Sequence, residues 1–254
     1  MVLIFTIALA SCNNGTDNLF VMSDNNMEAT ISLGASVSFE KYEALNRNDV
    51  IVFENPMTKK LTCLRIVGLP GDVVEIINGE ILLNKVPFVL PNSSKRIYTV
   101  YSKNNNFSKV LKYQFKEYSE SYGMVAVTAD QFKEIRNNSL VDSIYELGFD
   151  SSYVYPEIVK TQISKRFNHF YFGPLEIPEV NDTISENDKM LVSSFINFSG
   201  DYLQVKQALY FCIGDRFSDA MDSRVIGLIP QSEVIGKVKL IRNATVIDVS
   251  PNSR

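Results

Sequence analysis

The sequence predicts a mostly β protein: an antiparallel β core split by an inserted, mixed α/β subdomain. Three observations carry that expectation. The stretches 48–55 (NDVIVFEN) and 61–69 (LTCLRIVGL) are apolar runs of strand length. Within GDVVEIINGEILLNKVPF, Asn78-Gly79 stands between two apolar runs. That pair is the strongest short hairpin signal, because both turn positions need positive φ. Twelve Tyr and 16 Phe with no Trp suit a strand-rich core.

The elements follow in order. The chain opens MVLIFTIALASC, and the apolar run Val2 to Ala10 covers nine residues. A bilayer-spanning helix needs ~20 apolar residues, whereas a signal-peptide core needs ~7–15. Leu9-Ala10-Ser11-Cys12 resembles the bacterial lipobox, whose cysteine becomes the lipidated first residue. No Lys or Arg precedes the run; the first is Lys41. Residues 1–19 are therefore expected to be a lipoprotein-type signal peptide or a short membrane anchor, with a polar tether. Either places the chain in the cell envelope, membrane-anchored and facing the periplasm or the outside.

Residues 20–88 and 205–249 form the expected β core. The second part contains the apolar stretches VKQALYFCIGD, RVIGLIP and EVIGKVKLI, each read as a strand. Residues 89–204 form the expected insertion. Its KRIYTVYSKNNNFSKVLKYQF is polar and β-prone. Thr128-Ala129-Asp130-Gln131 opens a helix with a capping-box pattern, and Phe132 and Ile135 share its apolar face. Leu140, Ile144 and Leu147 suggest another helical turn, and Ser185 to Phe198 a third helix with Ser185 and Asp188 at its start.

Apolar residues make up 45% of the 254 and charged residues 21%, an ordinary globular mixture, and the net charge is −4. Without a basic field, nucleic-acid binding is not expected. The cysteines Cys12, Cys63 and Cys212 stand far apart, and His169 is the one histidine. A zinc site needs about four clustered ligands, so neither metal nor cofactor is expected. Cys63 and Cys212 sit in apolar runs and read as small buried hydrophobes; a disulfide between them stays open at this level.

Four motifs carry a resemblance to a known family. Arg65-Ile66-Val67-Gly68-Leu69-Pro70-Gly71-Asp72, preceded by the strand NDVIVF, resembles the RVIGLPGD box of bacterial type I signal peptidases. Gly214-Asp215-Arg216-Phe217-Ser218-Asp219-Ala220-Met221-Asp222-Ser223-Arg224 is similar to their GDNxxxSxDSR box. Phe172 to Pro178 (FGPLEIP) resembles a segment found in some members. The motifs keep the family's order over most of residues 20–240. The resemblance implies an antiparallel β catalytic core with a β-rich subdomain inserted between the GLPGD and GDN boxes.

It also implies a Ser/Lys dyad, and here the chain departs from the pattern. A serine nucleophile needs a base beside it, and a lysine serves when apolar burial lowers its pKa. An oxyanion hole must donate hydrogen bonds to the tetrahedral intermediate. Anchored on Met27 and Thr30, the family's S-x-S-M-x-P-T box falls on Asp24-Asn25-Asn26-Met27-Glu28-Ala29-Thr30. The nucleophile position is then Asn26 and the oxyanion-donor position Asp24. The base, immediately before the RVIGLPGD box, is Leu64. The position supporting the base is Ala220, and the box's Asn is Arg216. Lys60 lies about 13 Å along the strand from position 64, too far to substitute. No catalytic residue is left intact by this alignment, whereas structural letters remain: Gly68, Pro70, Gly71, Asp72, Gly214, Asp215, Asp222, Ser223 and Arg224. Asp222 and Arg224 are expected to form a charge-assisted pair in the core, and His169 to be structural.

The expected function is that of a signal peptidase I-like protein without serine-protease catalysis. It would bind exported polypeptides or an active signal peptidase, since strand addition needs sheet edges rather than a dyad. Two alternatives are an active signal peptidase I using Ser23, Ser32 or Ser36, and a structural envelope lipoprotein.

Overall fold

The computed structural model describes residues 18–28, 30–103, 115–146, 168–185 and 202–242. Seven strands come first: β1 (Asn18–Val21), β2 (Ser36–Glu40), β3 (Val50–Glu54), β4 (Leu61–Gly68), β5 (Val73–Ile77), β6 (Glu80–Leu83) and β7 (Val86–Phe88). Then come β8 (Arg96–Ser102), β9 (Phe115–Ser119), β10 (Tyr122–Val127), β11 (Val141–Glu146), β12 (Phe172–Glu176), β13 (Thr183–Ser185) and β14 (Tyr202–Gln204). The last are β15 (Leu209–Ile213), β16 (Ile229–Pro230) and β17 (Val234–Arg242). The strand pairs in these sheets are antiparallel. The protein is mostly β, as the sequence predicts.

The main sheet has the order β1-β2-β17-β3-β4-β15-β16. Its centre, β3 and β4, is buried on both faces. Ile51, Phe53, Leu64 and Ile66 pack one way, with Tyr210, Ile226 and Ile229. Val52 and Cys63 pack the other way, with Met22, Met27, Ile31 and Val37. Two-sided burial explains why LTCLRIVG reads as one apolar run rather than an alternation. A second sheet, β12-β5-β6-β7, contains the predicted hairpin: Asn78 and Gly79 have φ of 52° and 76° between Ile77 and Glu80. Its outer strand β12, from inside residues 89–204, pairs with β5. A third sheet, β11-β8-β10-β9, is covered on one face by the helix Ala129–Arg136. Thr128 caps that helix in a full capping box with Gln131.

Three expectations are corrected. Leu140 and Ile144 do not open a helical turn: Val141–Glu146 is a strand, and both residues pack on the cluster of Val100, Val125 and Ile135 beneath the helix. Pairing with β8 outweighs the local spacing. Leu147 lies outside the described residues. Ser185 ends β13 rather than starting a helix, and residues 186–198 lie outside the described residues. RVIGLIP is not one strand. Asp222 caps a helical turn, Ser223–Ile226, Gly227 breaks it at φ 81°, and Ile229–Pro230 forms the strand. Cys63 and Cys212 are free, buried thiols, which closes the disulfide question.

Candidate functional site

The positions expected to match the family's reactive residues come from three segments. β1 runs into a tight loop that carries Asp24 to Thr30. Backbone bonds from Glu28 to Asn25 and from Ile31 to Met27 close the loop, and Met22 N–H to Ala35 ties its ends. β4 supplies Leu64. β15 pairs with β4 with Cys212 opposite Ile66 and Ile213 opposite Arg65. A Cβ on Gly214 would lie 2.4 Å from the Ala220 Cβ and 2.5 Å from the Asn26 carbonyl oxygen. Asn26 and Ala220 therefore meet at Gly214, where only a glycine leaves room.

Asn26 is 6% exposed, and all of its polar groups are engaged. Its Oδ1 accepts from the Met221 N–H at 2.9 Å, and its Nδ2 donates to Thr62 Oγ1 at 3.4 Å. Its carbonyl accepts from the Arg216 N–H at 3.0 Å. Its own N–H donates to Asp24 Oδ1 at 2.9 Å. Asp24 thus folds back onto the loop and presents a carboxylate at the backbone N–H of position 26. A carboxylate accepts and does not donate, so this arrangement opposes an oxyanion instead of binding one. Leu64 is fully buried in its apolar cluster. Ala220 is 1% exposed and offers only a methyl group.

The buried charged groups around this centre are paired. Arg65 holds Asp215 through Nε and Nη2 at 2.8 and 2.7 Å, and Thr30 Oγ1 donates to the same carboxylate at 2.5 Å. Asp222 and Arg224 form the expected buried pair, at 2.9 and 2.5 Å. Arg224 also donates to the carbonyls of His169 and Phe217, so its charge is well solvated by the protein. His169 is buried, with Nε2 2.8 Å from the Ala220 carbonyl. Burial and the nearby Arg224 charge push its pKa down to about 4, against the pull of Asp222 and the Ala220 carbonyl. Cys212 N–H bonds Ser223 Oγ at 2.9 Å, and Gly214 N–H bonds Asp222 at 3.1 Å, which ties β15 to the Asp-Ser-Arg turn. Burial raises the Cys212 thiol well above its ordinary value, with Asp222 adding to the effect, so it is not a ready nucleophile.

The GLPGD corner is structural. A Cβ on Gly68 would meet Ile177 Cδ1 at 2.4 Å. Gly71, after Pro70, has φ 82° and donates to the Ile177 carbonyl at 2.8 Å. Asp72 accepts from Leu69 N–H, Arg47 and Asn84, and returns its own carbonyl to Ile177 N–H. Burial pushes the Asp72 carboxyl up, but these bonds and the Arg47 charge outweigh it and hold the carboxyl below its usual value. The FGPLEIP segment therefore clamps the corner.

Sequence reasoning missed Thr62 and Met221 as partners of Asn26, and Glu28 as a partner of Arg216, at 2.5 Å. An acid at 28 facing a base at 216 was the available signal. Of the rescue serines, Ser23 is exposed and Ser36 lies in the β2 ladder opposite Val21 and Arg242. Cys12 and Ala29 lie outside the described residues. Among the described residues no group of His, Cys, Asp or Glu could hold a metal ion.

An antiparallel β core with a site loop, a clamped GLPGD corner and a buried Asp-Ser-Arg turn defines a peptidase-type scaffold. Residues 1–242 match the family model described as signal peptidase, peptidase S26, and the chain belongs to that family. It is 26% identical to a signal peptidase I of Buchnera aphidicola subsp. Baizongia pistaciae over 205 residues, which is 77% of this chain and 54% of the relative. It is also 26% identical to one from subsp. Acyrthosiphon pisum over 208 residues, 76% of this chain and 52% of the relative. The chain thus spans about half the length of the curated relatives that it matches. The crystal structure of a signal peptidase I from Enterococcus faecalis matches at 15% identity and a TM-score of 0.36, over 78% of this chain and 100% of that one.

Proposed function

We propose that this member of the signal peptidase family binds exported peptide segments at the cell envelope without cleaving them. One observation carries the reading: Asn26, at the nucleophile position, is locked by four hydrogen bonds, and one of them places the Asp24 carboxylate on its N–H. A delocalised carboxamide nitrogen does not attack a carbonyl, and Leu64, at the expected base position, takes no proton. The scaffold around these residues is retained, as the clamped corner and the Asp222–Arg224 pair illustrate. Retention of the frame fits a binding role, since an extended peptide adds to a sheet through backbone bonds. The N-terminal apolar run and Cys12 supply the membrane attachment in this reading. No described helix is long and apolar enough to cross a membrane.

The test mixes the purified protein with a synthetic signal peptide ending in Ala-x-Ala, the small-residue pattern of cleavage sites. Saturable binding by fluorescence anisotropy, with the peptide intact by mass spectrometry, is the expected result. No binding at solubility-limited peptide concentration would remove the reading.

A further inference from the structure

The segment Pro91–Lys95 lies along the site and is held there weakly. Its Lys95 N–H donates to the Asp215 carbonyl and the Phe217 N–H donates to the Lys95 carbonyl, both at 2.9 Å, as an isolated parallel bridge. Side-chain anchoring is slight. Ser93 Oγ lies 3.3 Å from Thr30 Oγ1 in an exposed contact. Lys95 Nζ lies 3.8 Å from a Glu28 carboxylate that Arg216 already holds at 2.5 Å. Each of these contacts reaches Asp24–Thr30 or Gly214–Arg224, the two boxes that carry the site. Ser94 Oγ is buried and has no hydrogen-bond partner among the described residues. The closed position therefore desolvates a hydroxyl with no return. Both ends of the segment are firmly fixed. Phe88 pairs with Ile81 in the second sheet, and Arg96 donates to the Gly79 carbonyl and to Glu146. Few bonds, partial exposure and an unpaired buried group mark a unit that opens locally while its ends stay in place.

We propose that Pro91–Lys95 is an autoinhibitory strap, occupying the backbone edge of Asp215–Phe217 that an added peptide strand would use. This rests on the peptide-binding reading. The two groups it occupies, the Asp215 carbonyl and the Phe217 N–H, are an acceptor and a donor of the kind that strand addition employs. A ligand must then displace the strap, and its apparent affinity falls by the fraction of molecules that are open.

A Thr30→Cys/Ser93→Cys variant joins the strap to the site loop when oxidised and frees it when reduced. The Ala-x-Ala peptide is expected to bind about tenfold or more weakly to the oxidised form than to the reduced form. Equal binding by both forms overturns the strap and leaves the peptide-binding reading intact. Absence of binding by wild type and by both forms removes that reading, and the strap with it. Hydrogen exchange on the wild-type protein needs no variant. With peptide bound, the Lys95 amide loses its protection while the Phe217 amide keeps its own. Retained protection at Lys95 in the complex contradicts displacement.

Discussion

At the scale of residues, Asn26 acts as a clasp. Its carboxamide bridges β4, through Thr62, and the Gly214–Arg224 turn, through Met221. Asn26→Ala leaves the partly buried Met221 N–H without its acceptor and is expected to cost about 1 kcal/mol, read from urea unfolding. A change within error would show that the clasp does not hold the loop. The same geometry bears on installing the family's Ser/Lys pair at these positions. Asn26→Ser with Leu64→Lys is expected to recover little cleavage, because the Asp24 carboxylate still holds the N–H at position 26. Adding Asp24→Ser is expected to raise the cleavage rate further. Full-rate cleavage without the Asp24 change would show that this carboxylate does not block an oxyanion.

At the scale of elements, the junction of the end of β15, the site loop and the segment of Ala220 depends on the absence of a side chain at Gly214. Gly214→Ala would drive a methyl into the Ala220 Cβ and the Asn26 carbonyl, both of which are buried. Overpacking of this kind costs about 1–3 kcal/mol, so the variant is expected to unfold at lower denaturant. Wild-type stability would mean that the three segments are looser than described. This junction was only partly legible in the sequence. Individual boxes were readable because each is contiguous: the Asn78-Gly79 turn, the Thr128 capping box and GLPGD all declare themselves locally. What joined them was not. Thr62 and Asn26 lie 36 positions apart and His169 and Ala220 lie 51 apart, so no local pattern could pair them. Leu140 and Ile144 misled for a related reason. Their spacing fits a helix, and only the partner strand β8 decides otherwise. The apolar run RVIGLIP hides a helical turn because its cap, Asp222, stands outside the run and also pairs with Arg224.

At the scale of the whole molecule, buried charge sets the response to acid. The unfolded chain protonates His169 near its ordinary value of 6.5, whereas the folded chain resists until about 4. Between those values the unfolded state binds more protons, so stability falls as pH drops, by about 3 kcal/mol from this group. Above about pH 7 this group contributes no slope. Asp72 acts in the same direction further down, because its folded carboxyl lies below its ordinary value of 3.8 and its contribution is lost as pH falls through that folded value. Urea midpoints are expected to fall from pH 7 to about pH 4.5, and His169→Gln to remove most of that slope. A flat wild-type profile would mean that His169 takes up its proton at the same pH in the native and unfolded states. At the same buried centre, Asn26 and Leu64 stand at the proposed nucleophile and base positions. The most direct test incubates the purified wild-type protein with a signal-peptide-bearing precursor in detergent and follows cleavage by mass spectrometry. The expected result is an intact precursor at enzyme excess over hours. Cleavage after the Ala-x-Ala pattern, abolished by substituting Ser23, Ser32 or Ser36, would contradict it.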